Sequence, residues 1–479
     1  TARAGINMSG GQFLVGTGVT IGVAGVATFR SGKVDVGDSL QNTSVGQQAG
    51  EQLTTGSANV AVGRYAMRQT TTGVYNTAVG RDSLYANTTG NNNVAVGQAA
   101  LYTATTSVYG SVAVGSYALK LNTTGTGNNA LGYEALEANT TGSNNTAIGY
   151  QALTVNTTGD NNTALGHAAL YANTTGTQNT ALGRQALDAN TTASSNSAVG
   201  FQALTANTTG NSNVAMGVRA LAANVDTNNC TAIGFDALRY NTAADNTAVG
   251  AIALDANTTG SDNTAVGKGA LTENTTGASN TAVGQNAADA ITTGNYNTAI
   301  GRHALSANST TNANTAVGYY ALSSATTNIH TAVGFEALKD NSTGTNNTAV
   351  GGYALTTNTT GGTNSAIGYA SMQLNTTGDN NTAVGYQALR QNTTADRNTA
   401  IGYQALTANT TGSNNAAVGS YALTALTTGG DNTAMGDYAL GAATTGSYNT
   451  GIGKNAIDNL TTGSNNTAVG RNALTSITT

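Results

Sequence analysis

Asn145-Thr146-Ala147-Ile148-Gly149-Tyr150-Gln151-Ala152-Leu153-Thr154-Val155-Asn156-Thr157-Thr158-Gly159-Asp160-Asn161 is one period of a pattern that fills most of the 479-residue chain. A glycine closes the same short apolar run at Gly46, Gly63, Gly80 and onward to Gly453 and Gly470, 26 times in all. The spacing is 17 residues, with 18 between Gly97 and Gly115 and 16 before Gly250 and before Gly334. A unit this short buries no core alone. Stacked copies do, each touching only its neighbours.

Comparison of copies within the chain shows what each position tolerates. The residue before the glycine is always Val, Ile, Leu or Met, as in Val79, Ile148, Leu165 and Met216. Two before it is Ala, except at Ser44 and Gly451. Three before it is usually Thr, with Val at Val60, Val94, Val112 and Val214. A site that accepts Thr and Val alike suits a half-buried strand. Asn-Thr-Ala-Val-Gly therefore reads as a short strand, Thr and Val facing one way, Asn and Ala the other. Three after the glycine is Ala or Ser, and four after is nearly always Leu (Leu84, Leu153, Leu338), a core position. The Tyr-Gln-Ala-Leu stretch stays open between a second strand and one helical turn.

Seven after the glycine is usually Asn, as at Asn139, Asn156, Asn173, Asn190 and Asn207, while Leu53, Ile291, Leu426, Leu460 and Ile477 take its place elsewhere. A site that exchanges Asn for Leu or Ile points inward, and the stacked amides are expected to form a ladder. Asn-Thr-Thr is also an N-glycosylation pattern. The Leu exchanges favour the inward reading, and a carbohydrate on every coil would crowd. Thr-Thr-Gly supplies the turn, its glycine permitting positive φ. Both 16-residue coils lack that glycine, with Ala244 and Asn328 near its place, so the deletions fall in the turn.

The expected fold is all-β: a parallel β-solenoid, or β-roll, of about 26 coils of 17 residues, with at most one short helical turn per coil. At about 4.8 Å per coil the rod is roughly 120 Å long. Absent proline fits, because a central strand needs every N–H. Residues 42–479 form the rod. Residues 1–41 do not follow the repeat and read as an N-terminal Gly-rich β segment or junction. The start Thr-Ala-Arg-Ala-Gly has no initiator Met, as in a processed product or fragment. The end at Thr479 lies inside a repeat, where further protein or a covering partner is expected.

Composition narrows the function. Charged residues are 8%, against roughly 25% in ordinary soluble proteins. The net charge is −5 and Lys and Arg are scattered singly, so no basic patch offers a phosphate backbone or an anionic membrane a footing. No apolar run is long enough to span a membrane as a helix. Cys230 stands where other coils carry Asn and reads as drift, not as a reactive thiol. His167, His303 and His330 occupy three different repeat positions on distant coils and read as neutral surface substitutions. Asp82, Glu134, Asp236 and Glu336 recur one per coil, without the adjacent pair that glycoside hydrolysis needs. No catalytic, cofactor-binding or metal site is expected, and the chain is not expected to be an enzyme.

The residue after the glycine is often aromatic, as in Tyr133, Tyr150, Phe201, Phe235, Tyr319 and Phe335. Tyr369, Tyr386 and Tyr403 fall on consecutive coils and should stack as a ladder, either for packing or subunit contact or as a stripe for a glycan or protein receptor.

The Asn-Thr-Ala-Val-Gly and Asn-Val-Ala-Val-Gly strings resemble the head repeats of trimeric autotransporter adhesins. The 17-residue unit, with Gly-Tyr-Gln-Ala-Leu-x-x-Asn-Thr-Thr-Gly, is more similar to repeats of phage tail-fibre proteins that precede a self-cleaving chaperone domain, and Gly-Val-Ala-Thr-Phe near residue 25 also resembles fibre sequence. The resemblance covers residues 42–479, although membrane anchor, stalk and chaperone domain are absent from this sequence. It implies a homotrimeric fibre on a virion tail or other extracellular surface, joined to other fibre or virion proteins at its ends and contacting a host receptor or glycan. The Ala column gives modest separate support: a face that accepts only Ala, Ser or Gly has backbone close against it, either a neighbouring chain's or the coil's own. Three readings follow: a phage tail fibre, a bacterial surface adhesin or filament, and, last, an ice-binding solenoid.

Overall fold

The computed structural model describes residues 40–477. It is an all-β parallel solenoid. Among the described residues, twenty-six strands of three residues run from Thr43–Val45 to Thr467–Val469, and each inner strand pairs in parallel with the strands one coil before and after. Register is one repeat unit throughout: Thr146 lies on Thr163, Ala147 on Ala164 and Ile148 on Leu165. The register survives the irregular coils. Ala95 still meets Ala113 across the 18-residue coil, and Ala232 meets Ala248 across a 16-residue one. The expected Gly-rich junction, with its Gly-Val-Ala-Thr-Phe string, lies outside the described residues except for residues 40 and 41.

The faces of the strand divide cleanly. Asn145 and Ala147 are fully buried, whereas Thr146 and Ile148 look outward. The core is narrow, consisting of the Ala column of the strands and the Ala-Leu pairs such as Ala152–Leu153. The Ala column therefore abuts the interior of its own coil, which removes it as support for a neighbouring chain. Each buried Leu contributes about 1.5–3 kcal/mol of hydrophobic stabilisation.

Tyr-Gln-Ala-Leu is neither strand nor helix, and no helix occurs among the described residues. It is a string of turns in which residues two and four after the glycine are left-handed: Gln151 at φ 53° and Leu153 at φ 53°. A third such residue, Asn144 at φ 58°, precedes the buried Asn. Left-handed backbone costs an L-residue about 1–2 kcal/mol. Bonding between coils offsets it. The Gln151 N–H donates to Tyr133 O of the preceding coil at 2.9 Å, and the Leu153 N–H donates to Ala169 O of the following coil at 2.9 Å. The same backbone thus ties upward and downward within three residues. Local propensity for a helical turn loses because stacking rewards every N–H that points along the rod.

The two glycines of the unit do different work from the expectation. The positive φ belongs to the glycine after the strand, near +140° at Gly149. A Cβ there would sit 2.5 Å from the carbonyl oxygen of Gly166. The Thr-Thr-Gly glycine has no positive φ. Its constraint is space: a Cβ on Gly159 would lie 2.3 Å from Gly176 O and 2.5 Å from Asn156 Oδ1. That constraint yields more easily, since Ala193 and Ala395 hold the same place.

Candidate functional site

Two amide columns run inside the rod. In the first, Asn139, Asn156, Asn173, Asn190 and Asn207 are fully buried. Each Nδ2 donates to the Oδ1 one coil before, at 2.7 Å from Asn139 to Asn122 and from Asn156 to Asn139, 2.8 Å from Asn173 and from Asn190, and 3.0 Å from Asn207. The same Nδ2 also donates to the carbonyl of its own turn, as Asn156 does to Gly159 at 3.0 Å. In the folded rod these amides are buried and engaged, which leaves no room for a glycan on them. Where an aliphatic residue interrupts the column the ladder ends with orphans. Asn274 Oδ1 and Asn308 Nδ2, on either side of Ile291, have no partner, nor does Asn409 Oδ1 before Leu426.

The second column was not foreseen. It is the Asn that opens each strand. The Asn145 N–H donates to Asn128 Oδ1 at 2.9 Å, and Asn145 Nδ2 donates to Gly159 O at 2.8 Å. The signal lay in the sequence: all but three coils carry Asn here, the exceptions being Ser111, Cys230 and His330. Cys230 is fully buried, its backbone N–H bonded to Asn213 Oδ1 at 2.9 Å and its thiol 3.3 Å from Ala243 O. Burial raises the thiol pKa. His330 is 2% exposed, so the surface expectation fails for it. It fills an interior Asn site, and burial pushes its imidazole down to about 4. The other two histidines stack on rings, His167 on Tyr150 at 5.3 Å and His303 on Tyr320 at 5.0 Å.

Charges pair along the rod axis, one coil apart. Arg68 meets Glu51 at 2.8 Å, Lys120 meets Glu137 at 3.0 Å, and Lys454 meets Asp437 at 3.0 Å. Asp236 is buried and held in a two-pronged contact by Arg219, at 2.8 and 2.6 Å, with Arg239 at 3.7 Å. Asp82, Glu134 and Glu336 stand on coils well apart at the left-handed position two after the glycine. Among the described residues no three His, Cys, Asp or Glu side chains are placed to hold a metal ion.

Outside, aromatic residues form a continuous spine across nine coils from His303 to Tyr438. Tyr369 and Tyr386 stack at 5.5 Å with 12° between planes, and Tyr386 and Tyr403 at 5.2 Å with 8°. Tyr319, Phe335 and Tyr353 extend the run on one side, Tyr421 and Tyr438 on the other. The near-parallel rings cover one another's faces. Tyr386 is sandwiched on both sides and presents its edge, not the open face on which a sugar ring stacks.

The other exposed feature is the residue before the glycine. Ile148 is 37% exposed, Leu165 41% and Met435 46%. This column is aliphatic in every coil. Two positions on, the solvent-facing column takes Arg64, Gln98, Ser116, Lys268 and Asp437 as readily as Tyr. An exposed column that never drifts to a polar residue is an apolar ridge running the length of the rod.

No family model matches the chain, and no curated protein is significantly similar to it.

Proposed function

We infer that the chain is a structural fibre protein, the shaft of a phage tail fibre assembled from three copies, exposed on the virion tail and acting mechanically, not as a catalyst. The solenoid is the architecture of a structural repeat protein. The aliphatic ridge supports the association between chains. The larger members of the column, such as Leu131, Leu165, Met216 and Ile367, are exposed, and valines such as Val62, Val249 and Val384 are half-buried, so over the rod the ridge offers on the order of 1,000 Å² per chain. That exceeds the ~800 Å² per partner of a standard interface. A partner must offer matching apolar groups every ~4.8 Å over the same length, and another copy of this chain does so. The number three, and the phage tail as the place, come from the resemblance of the repeat unit to tail-fibre repeats. Against the ice-binding reading, the first threonine of the turn pair is half-buried and commits its hydroxyl to the next coil, Thr140 Oγ1 donating to Thr157 O and Thr157 Oγ1 to Thr174 O, both at 3.0 Å.

Charging the ridge tests the contact. Ile148→Lys, Leu165→Lys and Leu182→Lys together should dissociate the fibre locally or into single chains while leaving the circular dichroism of the solenoid unchanged. If the triple variant stays fully associated along this stretch, as read by crosslinking, the ridge is not the contact.

A further inference from the structure

Three departures from the repeat coincide in the coil between Gly318 and Gly334. It is one residue short, Ala325 interrupts the first amide column, and His330 replaces Asn in the second. Shortening leaves a notch of about 420 Å³ at the turn, lined by Thr326, Thr327, Asn328 and Ile329 and by turn residues of the adjoining coils. Thr327 joins the notch to the interior. Its Oγ1 lies 2.8 Å from His330 Nε2 and donates to Gly344 O at 2.6 Å.

That arrangement fixes the tautomer. The Thr327 proton goes to Gly344 and the Asn347 N–H needs an acceptor at Nδ1, so Nε2 carries hydrogen and donates to Thr327, while Asn341 Nδ2, 3.3 Å from Nε2, spends a proton on Gly344 O at 3.1 Å. The other ring nitrogen, Nδ1, accepts the Asn347 N–H of the next coil at 3.3 Å. Here Nδ1 does what Asn Oδ1 does elsewhere, as when Asn246 accepts the Asn263 N–H at 3.0 Å. An amide oxygen keeps its lone pairs in mild acid and an imidazole does not. A second proton on His330 must sit on Nδ1, facing the Asn347 N–H, donor against donor. The groups around the ring are Asn314, Thr327, Asn341, Gly344 and Asn347, and none carries a charge to compensate.

We propose that this coil is an acid-sensitive joint, at which protonation of His330 parts the strand Thr331–Val333 and its coil from the coil of Thr348–Val350 and lets the rod bend, while the coils on either side stay stacked. The sign follows from linkage. The imidazole is held down to about 4 in the fold and titrates near 6.5 when released. The joint keeps its full stability above about pH 6.5 and loses it as pH falls towards and through about 4, by up to tenfold in the opening equilibrium per pH unit. Below about pH 4 the loss levels off.

Hydrogen–deuterium exchange on the full chain, corrected for the intrinsic pH dependence, tests it against His330→Asn. That variant restores the residue of the other short coil, Asn246, and should fold. Wild type should lose protection across residues 318–350 between pH 6.5 and 4.5, by up to about fortyfold. The variant should not, and peptides from coils 132–217 should be alike in both. Unchanged protection at 318–350 in wild type, or an equal loss in His330→Asn, overturns the joint.

Discussion

At the residue scale, the two glycines of the unit respond differently to a methyl group. Gly149 combines φ +140° with a neighbouring carbonyl 2.5 Å from the would-be Cβ. Gly149→Ala should lower local stability by about 1–3 kcal/mol from backbone conformation alone, and by more once the contact is added. Gly159→Ala meets only a space constraint that Ala193 already satisfies, and should cost less than half as much. Thermal melts of the two variants rank them directly. Cys230 is a built-in reporter of the same interior: with its thiol buried and its pKa raised, Ellman's reagent at pH 8 should leave the native rod unreacted and titrate one thiol per chain in denaturant. The sequence made the core Leu and the inward Asn legible because exchange across 26 copies exposes what each site requires. It did not reveal the left-handed Gln151 and Leu153, because no local preference favours that backbone. The stack imposes it through bonds to both neighbouring coils.

At the scale of the element, each coil is held by columns, so the cost of a change depends on where a column breaks. Asn173 sits mid-ladder. Asn173→Leu strips the donor from Asn156 Oδ1 and one of two acceptors from Asn190 Nδ2, which keeps Ala193 O at 3.1 Å, an expected loss of about 1–3 kcal/mol for the buried oxygen left unpaired. Ile291→Asn does the reverse, giving partners to Asn274 Oδ1 and Asn308 Nδ2. Those bonds offset the lost apolar burial, so this variant should stay within about 1 kcal/mol of wild type, whereas Leu153→Asn, with no amide above or below, should cost several kcal/mol. Urea melts with local probes distinguish the three. The first column was readable because Leu and Ile substitute in it. The second was harder to see, since its replacements, Ser111, Cys230 and His330, look like three unrelated accidents until the strand places them in one line.

For the whole molecule, the strand pattern marked two apolar columns and left open which of them the coil encloses. Alternation correctly grouped Ala with Asn and Val with Thr. The small Ala column left open a contact between chains or a tight interior. The structure buries that column inside its own coil and turns the aliphatic column outward, so the case for association moves to Ile148, Leu165 and their equivalents. Alternation gives faces but not which one the chain closes around, because closure is set by the turns, and those rest on left-handed residues that sequence periodicity does not signal. The most direct measurement is the mass of the native protein by light scattering on a sizing column. One chain is 47.5 kDa. A mass of three chains, eluting early as an elongated particle, is the predicted result. The mass of a single chain would contradict it, leaving the ridge bare to water and the fibre without its contact.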